Sequence, residues 1–276
     1  MIRIFKTKKL VSILTLIVIT SFSCKDENVL DNLDQNNLQA CHDYLLIEKT
    51  IIDIEREIEH AFISTQTTKN IPNYITINSD TSNQDTLIIR FGEDNFLHLG
   101  HLKRGEIIII YNKFMYDSAA NLSATFSEFY INNNLVQGNM ILKNIGLNQN
   151  ENLEFILEVN NMNMNTENGI INLNGNYSKE LIEGGGSEYI YLDNVYNVVG
   201  SANGNSVNNN SFTINITEPL KYNLFCFESS SCIITNGSVS VNPSIYGERI
   251  LDYGDESCDC EISAIIEDES YPLIIN

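Results

Sequence analysis

Four carboxylates lie close together near the C-terminus and could bind a divalent cation: Asp252, Asp255, Glu256 and Asp259. Carboxylate oxygens are hard ligands, and Ca²⁺ takes about six to eight oxygens at roughly 2.3–2.6 Å. The spacing of these acids does not match an EF-hand loop, and acidic residues are also common at solvated hairpin tips. The pattern therefore favours a solvated acidic turn, and Ca²⁺ is the one cofactor that it suggests.

Two histidines, His98 and His101, follow shortly after Glu93 and Asp94. Imidazole and carboxylate groups bind metals, but a zinc or transition-metal site needs further ligands in a defined geometry. The histidines are interleaved with leucines, namely Leu97, Leu99 and Leu102. This segment predicts a loop or strand with half-exposed imidazoles, and we assign no metal to it.

The common hydrolase motifs do not occur in the sequence. A nucleophile elbow needs Gly-x-Ser-x-Gly and a zinc protease helix needs His-Glu-x-x-His, and neither is present. The glycines at 184–186 are not followed by the Lys-Ser/Thr pair of a phosphate loop. The 36 acidic residues always offer carboxylate pairs of the kind that glycosidases use, but no pair stands out. We expect a non-catalytic protein, with a carboxylate-dependent hydrolase as the alternative.

Thiols are concentrated near the C-terminus, where Cys226, Cys232, Cys258 and Cys260 are found. In an exported chain, such thiols form disulfides. Because we expect their segments to be adjacent strands, the preferred pairing is Cys232–Cys258, with Cys226–Cys260 nested outside it. Four cysteines allow three pairings, and the sequence does not choose among them. Cys41 is left over, and zinc is disfavoured because the thiols lack a two-residue spacing.

Cys24 closes an N-terminal export signal. A basic start, a short apolar core over residues 10–20 and the small Ser23 precede it. The apolar run is too short for a bilayer span, which takes about 20 residues. This order resembles the lipobox of bacterial lipoproteins, in which the cysteine is acylated and becomes the new N-terminus. We expect residues 1–23 to be a signal peptide and Cys24 to carry a stable lipid anchor of several acyl chains.

Two short patterns after the anchor bear on localisation and modification. Lys25, Asp26 and Glu27 resemble the Lys-acidic-acidic export tag that sends Bacteroidota lipoproteins to the outer face of the outer membrane. They predict a lipid-anchored protein at the cell surface, with the periplasmic leaflet as the alternative. Thr86 and Ser118 each follow an aspartate, in triplets that resemble the O-glycosylation motif of Bacteroidota envelope proteins.

The charge balance is strongly acidic, with 36 Asp and Glu against 16 Lys and Arg and a formal charge of −20. This argues against nucleic acid and against a basic helix on a membrane surface. A glycan or a protein remains as the ligand class, and the membrane is contacted through the lipid. The length suits one large core or two smaller ones.

One segment shows helical periodicity and predicts an amphipathic helix over residues 41–68. Its apolar stripe consists of Tyr44, Ile47, Ile51, Ile54, Ile58 and Phe62. Charged residues, among them Glu48, Asp53 and Glu57, lie off this stripe. Packing of the stripe on the helix's own domain is favoured over binding to a partner. Residues 24–40, which are polar and acidic, predict a flexible tether.

From residue 70 to residue 276 the sequence predicts a β-rich domain. β-Branched or alternating runs occur at 74–77, 87–91, 107–111, 122–126, 135–142, 153–159, 170–177, 195–199, 212–216, 233–241, 249–253, 262–266 and 273–275. Asparagine-rich clusters between them predict turns, at 132–134, 148–150, 174–175, 203–204 and 236–237. Together they predict an all-β antiparallel sandwich or partly open barrel, preceded by one N-terminal helix.

Residues 88–94 and 250–256 share a pattern of two aliphatic residues, a polar residue, an aromatic residue, glycine and two acids. The pattern predicts either two related β-subdomains, with a boundary near residues 200–220, or a strand-to-turn element that occurs twice.

Several short motifs occur in a fixed order along the chain. They are Phe91-Gly92, Arg104-Gly105, Asp193 with Val199-Gly200, Pro219-Leu220, Cys232 with Asn236-Gly237, and the run from Asp252-Tyr253-Gly254-Asp255 to Cys258-Asp259. In this order they resemble a Flavobacteriia-type family of Bacteroidota outer-membrane lipoproteins, over most of residues 85–276. The resemblance implies a β-rich envelope lipoprotein and supplies no activity. We expect a non-catalytic binding or structural lipoprotein, with a periplasm-facing envelope-assembly lipoprotein as the alternative.

Overall fold

The computed structural model describes residues 29–67, 71–79, 84–185, 191–229 and 232–273. Residues 38–276 form one compact unit. Of the other unit, residues 1–37, the described part is the start of a helix. The predicted signal peptide 1–23, the lipid-bearing Cys24 and the export tag at 25–27 lie outside the described residues.

The first element is the α-helix α1, Val29–Thr67. The predicted apolar stripe from Tyr44 to Phe62 is buried in the protein's own core, which confirms packing on the domain. The helix begins inside the segment predicted as a flexible tether, residues 24–40. No glycine or proline occurs between Cys24 and Ile71, so no strong helix breaker stands in this stretch. No helix within the described ranges is both long and apolar enough to cross a membrane.

In the part of the chain that the structure describes, thirteen strands follow the helix. They are β1 Ile75–Ser79, β2 Asp85–His98, β3 His101–Tyr111, β4 Asn121–Ile131, β5 Asn134–Leu147, β6 Leu153–Thr166, β7 Gly169–Glu183, β8 Val195–Asn205, β9 Ser211–Asn223, β10 Ile234–Pro243, β11 Arg249–Asp255, β12 Ile262–Ile266 and β13 Glu269–Leu273. A short 3-10 helix, Leu224–Glu228, lies between β9 and β10. The first twelve predicted runs each overlap one of the strands β1 to β12, and most of these strands extend beyond the run. The last predicted run, 273–275, shares only Leu273 with β13, and residues 274–276 lie outside the described residues.

All strands belong to one antiparallel sheet in which each strand pairs with its neighbours in sequence, from β1 to β13. Within the described residues β1 and β13 are the two edges, so the sheet is not closed. Apolar residues at alternate positions face α1 and form one core with it. The predicted all-β class with one N-terminal helix is confirmed.

Tight turns join several of the strands. The pairs Leu99-Gly100, Asn132-Asn133 and Glu267-Asp268 have positive φ at both residues, as in the type I′ turns that match the strand twist. The predicted turns at 132–134 and 148–150 are confirmed. In the second, the Asn148 side chain accepts a hydrogen bond from the Asn150 backbone N–H at 2.8 Å.

Three predicted Asn-Gly turns are wrong, because they lie inside β7, β8 and β10. At Gly175 a Cβ atom would lie 2.6 Å from the Tyr177 ring. At Gly204 a Cβ atom would lie 2.0 Å from the carbonyl oxygen of Asn172. At these positions glycine lets neighbouring atoms approach the strand backbone closely. An Asn-Gly pair by itself does not show whether its glycine lies in such a strand or in a turn.

Bulges bend the sheet around α1. Among the described residues the register shifts in nine strand pairs, including those next to Gly105 and Gly138. Each bulge adds a local bend and increases the twist. The bent sheet reaches α1 from many sides: Glu57 contacts β2 and β3, Glu55 contacts β7, and Glu48 contacts β11.

The residues near the predicted subdomain boundary, 200–220, lie in β8 and β9, which pair with each other in the same sheet. The two copies of the repeated pattern lie in β2 and at the end of β11. Their glycines, Gly92 and Gly254, both have positive φ. The shared feature of the two copies is a strand that reaches a left-handed glycine.

Candidate functional site

Much of the polar side of α1 is buried, as its apolar stripe is. Asp43, Glu48, Asp53, Glu57 and Glu59 are all buried. The amphipathic pattern predicts one packed face, and the wrapped sheet buries much of the other face as well. Buried carboxylates need donors. Most of these donors come from the surrounding sheet and its loops, and Gln39 and Tyr44 of α1 supply two more.

Glu57 has the most charged surroundings. Its carboxylate accepts hydrogen bonds from the Lys103 ammonium and from His98 Nδ1, at 2.9 Å from the imidazole. The side chains of Lys103 and Glu57 are each 1% exposed. Burial opposes ionisation of Glu57, but the His98 hydrogen bond and the Lys103 charge outweigh it, so the pKa of Glu57 lies below its ordinary value.

The second histidine also points at the helix. His101 Nε2 lies 3.1 Å from Asp53 Oδ2, and Asn132 Nδ2 lies 2.9 Å from His101 Nδ1. His101 is buried, and the His98 side chain is 14% exposed. The prediction of half-exposed imidazoles is therefore wrong. The β2–β3 hairpin bends over α1 and brings both rings to helix acids distant in sequence.

Glu48 and Glu59 are surrounded by tyrosines. The hydroxyls of Tyr44 and Tyr253 each donate to Glu48 at 2.6 Å, and the Tyr116 hydroxyl donates to Glu59. Burial raises the pKa of each carboxyl to about 7, although these hydrogen bonds work in the opposite direction. Each group is neutral in part of the molecules near pH 7.

Space between α1 and the sheet is limited. A mainly apolar cavity of about 50 Å³ has Glu55, Arg56, Glu59 and Lys179 at its polar positions. Lys179 Nζ lies 2.6 Å from Glu55 Oε1. A cavity of this size holds a few water molecules and is far smaller than a small-molecule site. The helix acids therefore join α1 to the sheet, and the concave side of the sheet is already occupied.

The acidic residues near the C-terminus do not converge on a point. Asp252, Asp255 and Asp259 each accept a hydrogen bond from a residue of their own turn. Glu256 Oε1 lies 3.3 Å from Lys221 Nζ. Within the described ranges no group of three His, Cys, Asp or Glu residues is placed to hold a metal.

All four C-terminal cysteines form disulfides, but the expected pairing is wrong. The bonds join Cys226 to Cys258 and Cys232 to Cys260, with Cα atoms 5.2 and 5.4 Å apart. Nested pairing assumes two antiparallel strands. The cysteines instead lie in two connections at the same end of the sheet, before β10 and after β11. Cys41 is a free, buried cysteine, and burial raises its thiol pKa to about 12.

The two predicted O-glycosylation residues differ in setting. Thr86 lies within β2 and is paired with Asn78 of β1 and Ile110 of β3. Ser118 is exposed in the connection between β3 and β4. Of the two, Ser118 is the residue accessible to an enzyme.

The outward face of β7, β8 and β9 carries a regular array of small polar residues, here called the polar grid. Its members are Asn172, Asn174, Asn176, Ser201, Asn203, Asn205, Ser211, Thr213 and Asn215. They form three rows across the strands, Asn176–Ser201–Asn215, Asn174–Asn203–Thr213 and Asn172–Asn205–Ser211. On β10, Asn242 lies opposite Thr213. Ser240 lies opposite Asn215, but it is buried and its hydroxyl is bonded to Glu248 and Asn242.

Most grid side chains are exposed and have free hydrogen-bonding groups. Asn172 bonds to Asn163 and Asn174 bonds to the backbone of Asn161. The other grid side chains make no hydrogen bond to another described residue. Six of the grid residues line an open depression of about 600 Å³, and a second depression of about 280 Å³ adjoins it.

The grid differs from the outward face of the earlier strands. There, charged pairs cross the strands, such as Arg90 with Glu106 at 2.9 Å and Lys143 with Glu158 at 2.5 Å. No grid position is charged, in a chain of formal charge −20. The grid thus combines unused donors and acceptors, neutrality and an open shape.

Sequence reasoning missed the grid although a signal exists. At 172–178, 201–205 and 211–217 small polar residues alternate with apolar residues or glycine, the period of a half-buried strand. Reading Asn-Gly pairs as turns interrupted two of these segments and hid the alternation.

Comparisons of the chain with known protein families, with curated proteins and with solved structures find no match.

Proposed function

We propose that the chain is a lipid-anchored outer-membrane lipoprotein displayed at the cell surface, where it binds a ligand without catalysis. The N-terminal sequence supports the anchor and the display, through Cys24 and the tag Lys25-Asp26-Glu27. The polar grid carries the binding role. It is a regular surface on which most exposed hydrogen-bonding side chains lack partners among the described residues.

The packing of α1 supports the same proposal. The acids of a hydrolytic site must be free to reach a substrate, but the buried acids of α1 are bonded to Lys103, the two histidines and the tyrosines. The stripe from Tyr44 to Phe62 is covered by the chain's own sheet. The outer face of the sheet is therefore the surface that we propose for ligand binding.

Site-specific labelling tests whether the grid faces the outside of the cell. Asn203→Cys introduces an exposed thiol on β8, and Ala202→Cys introduces one at the adjacent, inward-facing position. Intact cells are treated with a membrane-impermeant maleimide. We expect labelling of Asn203→Cys only. Wild type should stay unlabelled, because Cys41 is buried.

The result distinguishes the two locations. Labelling of Asn203→Cys on intact cells supports surface display. Labelling that appears only after the outer membrane is permeabilised contradicts display and favours the periplasm-facing lipoprotein. Replacing Lys25, Asp26 and Glu27 by alanine should abolish labelling on intact cells if these residues are the export tag.

A further inference from the structure

We infer that the ligand of the polar grid is a neutral polysaccharide chain that lies across β7, β8 and β9. This inference rests on the proposed binding function and names its ligand class. Charge gives the first step. The grid contains only Asn, Ser and Thr. The one charged residue that lines the larger depression is Glu158, whose carboxylate is paired with Lys143. The residues lining this depression therefore include no cation to bind a phosphate, a sulfate or a uronic acid.

Hydrogen-bonding capacity gives the second step. An amide side chain presents both donors and an acceptor, and a hydroxyl does the same. Sugar hydroxyls have this dual character, so each grid residue can bond a hydroxyl in either direction. Asn176, Asn203 and Asn215 make no side-chain bond to another described residue, and their groups are available without breaking an existing contact.

Spacing gives the third step. Neighbouring strands are about 4.8 Å apart, and outward residues on one strand repeat at about 6.8 Å. A row such as Asn174–Asn203–Thr213 therefore presents a polar group at each strand, at a distance comparable to the length of one pyranose unit. Each of the three rows repeats a polar group from strand to strand, as a polymer repeats identical units.

A protein ligand fits the grid less well. Protein interfaces depend on a few large anchors, chiefly Trp, Tyr and Arg, and the grid contains none of them. The depressions of about 600 and 280 Å³ are open, which suits a chain that enters from one side and leaves from the other. Affinity then comes from many weak contacts, and a long chain adds avidity.

Affinity electrophoresis of the full-length lipoprotein tests the inference. The gels contain a neutral β-glucan, a galactomannan or an arabinoxylan, with polygalacturonate as the anionic comparison. We expect retardation by at least one neutral polymer. The double variant Asn203→Ala/Asn215→Ala should weaken the apparent affinity by about fivefold or more, as expected when one or two hydrogen bonds are lost.

Asn168→Ala is the matched control, because Asn168 is exposed in the β6–β7 turn outside the grid, and it should bind as wild type does. All replaced residues are exposed, and near-ultraviolet circular dichroism checks the fold. Absence of retardation by every neutral polymer would overturn the inference. Equal retardation of wild type and the double variant would also overturn it.

Failure of the ligand class and failure of the proposed function give different results. Grid-dependent retardation by polygalacturonate alone would overturn the neutral ligand and leave a binding role for the grid. Labelling of Asn203→Cys only in permeabilised cells would contradict the surface function, whichever polymer binds.

Discussion

At the scale of single residues, the buried acids of α1 divide into two kinds. Glu57 faces a cation and a histidine, so its charged form is favoured. Glu48 and Glu59 face tyrosine hydroxyls, and burial favours their neutral form. On the same helix, the pKa of Glu57 is thus lowered, whereas the pKa values of Glu48 and Glu59 are raised. The directions differ because the groups bonded to the carboxylates differ.

Glu48 should make stability depend on pH. Its pKa is raised from 4.5 to about 7 in the folded protein, so between these values the folded state binds more protons than the unfolded state. The free energy of unfolding should therefore fall as the pH rises through this window, by roughly 3 kcal/mol for this group. Urea unfolding of wild type and Glu48→Gln from pH 4.5 to 8 measures it.

The difference between the two proteins isolates this group from other titrating residues. We expect wild type to lose stability relative to Glu48→Gln as the pH rises, and the difference to level off above pH 7. If the unfolding free energies of wild type and Glu48→Gln change in parallel with pH, the prediction is contradicted. Glu59→Gln provides an independent repeat at the other tyrosine-lined acid.

The pair formed by Lys103 and Glu57 should be costly to break. Lys103→Met leaves the buried carboxylate of Glu57 without its cation, which should cost about 3–5 kcal/mol of unfolding free energy. Lys143→Met is the matched control. It removes the lysine of an outer pair whose Lys side chain is 39% exposed, where a cost of at most about 1 kcal/mol is expected.

Chemical denaturation of four proteins completes this test: wild type, the two single variants and Lys103→Met/Glu57→Gln. The double variant should recover part of the stability lost in Lys103→Met, because the buried charge is gone. An equal loss of unfolding free energy in Lys103→Met and Lys143→Met would contradict the prediction, because it would show that the pair of Lys103 and Glu57 is solvated.

At the scale of elements, the bulges decide the shape of the sheet. Gly105 has φ +84°, and a Cβ atom there would lie 1.9 Å from the carbonyl oxygen of Glu128. Glu128 itself has positive φ, so the bulges of β3 and β4 pack backbone against backbone. A flat sheet could not contact α1 from both β3 and β11.

Gly105→Ala should therefore destabilise the protein by about 3 kcal/mol or more, through strain and a backbone clash. Gly247→Ala is the matched control. Nothing lies within 4 Å of a Cβ atom at that position, and a change within about 0.5 kcal/mol is expected. Thermal unfolding followed by circular dichroism measures both. Similar melting temperatures for the two variants would contradict the role assigned to the bulge.

The disulfides can be checked at the same scale. Their sequence separations are 32 and 28 residues, for which the chain-entropy model gives about 3–4 kcal/mol each. Replacing Cys226 and Cys258 together by alanine should lower the free energy of unfolding by about 3–4 kcal/mol. Chemical denaturation of the double variant and wild type gives the loss.

The pairing itself is read by non-reducing peptide mapping. Cleavage after Glu228, after Glu248 and before Asp259 separates all four cysteines, and mass spectrometry then identifies the linked peptides. Linkage of Cys232 to Cys258 would refute the observed pairing.

At the scale of the whole molecule, contacts that are distant in sequence hold the helix. The hydrogen bond between Tyr253 and Glu48 spans 205 residues, and that between Lys179 and Glu55 spans 124. These contacts need both the early helix and the late strands. The helix and sheet should therefore unfold as one cooperative unit.

Hydrogen exchange measures this cooperativity. Backbone amides of α1 between Tyr44 and Phe62 should exchange as slowly as those at the centre of β6 and β7, since both open by global unfolding. Faster exchange of the helix alone would show that it leaves the sheet, as a partner-binding helix must. Mass spectrometry of peptic fragments gives the comparison.

Local pattern predicts much of this molecule. Alternation of apolar and polar residues predicts β1 to β12, although most of these strands are longer than the predicted runs because polar outward residues dilute the signal. It does not predict β13, of which only Leu273 lies in a predicted run. Helical periodicity placed the stripe from Tyr44 to Phe62. The Asn132-Asn133 turn was also predictable, since asparagine tolerates the left-handed backbone of a tight hairpin.

The sequence by itself determined the all-β class, the helix and the four bridged cysteines, because each depends on residue type and short-range spacing. Tertiary structure alone decided the disulfide pairing, the burial of His101, Lys103 and Glu57, and the alignment of nine polar residues into one grid. Those features depend on strand register and on bulges that bend the sheet. Register and bending arise from contacts between residues far apart in the chain, which no local pattern specifies.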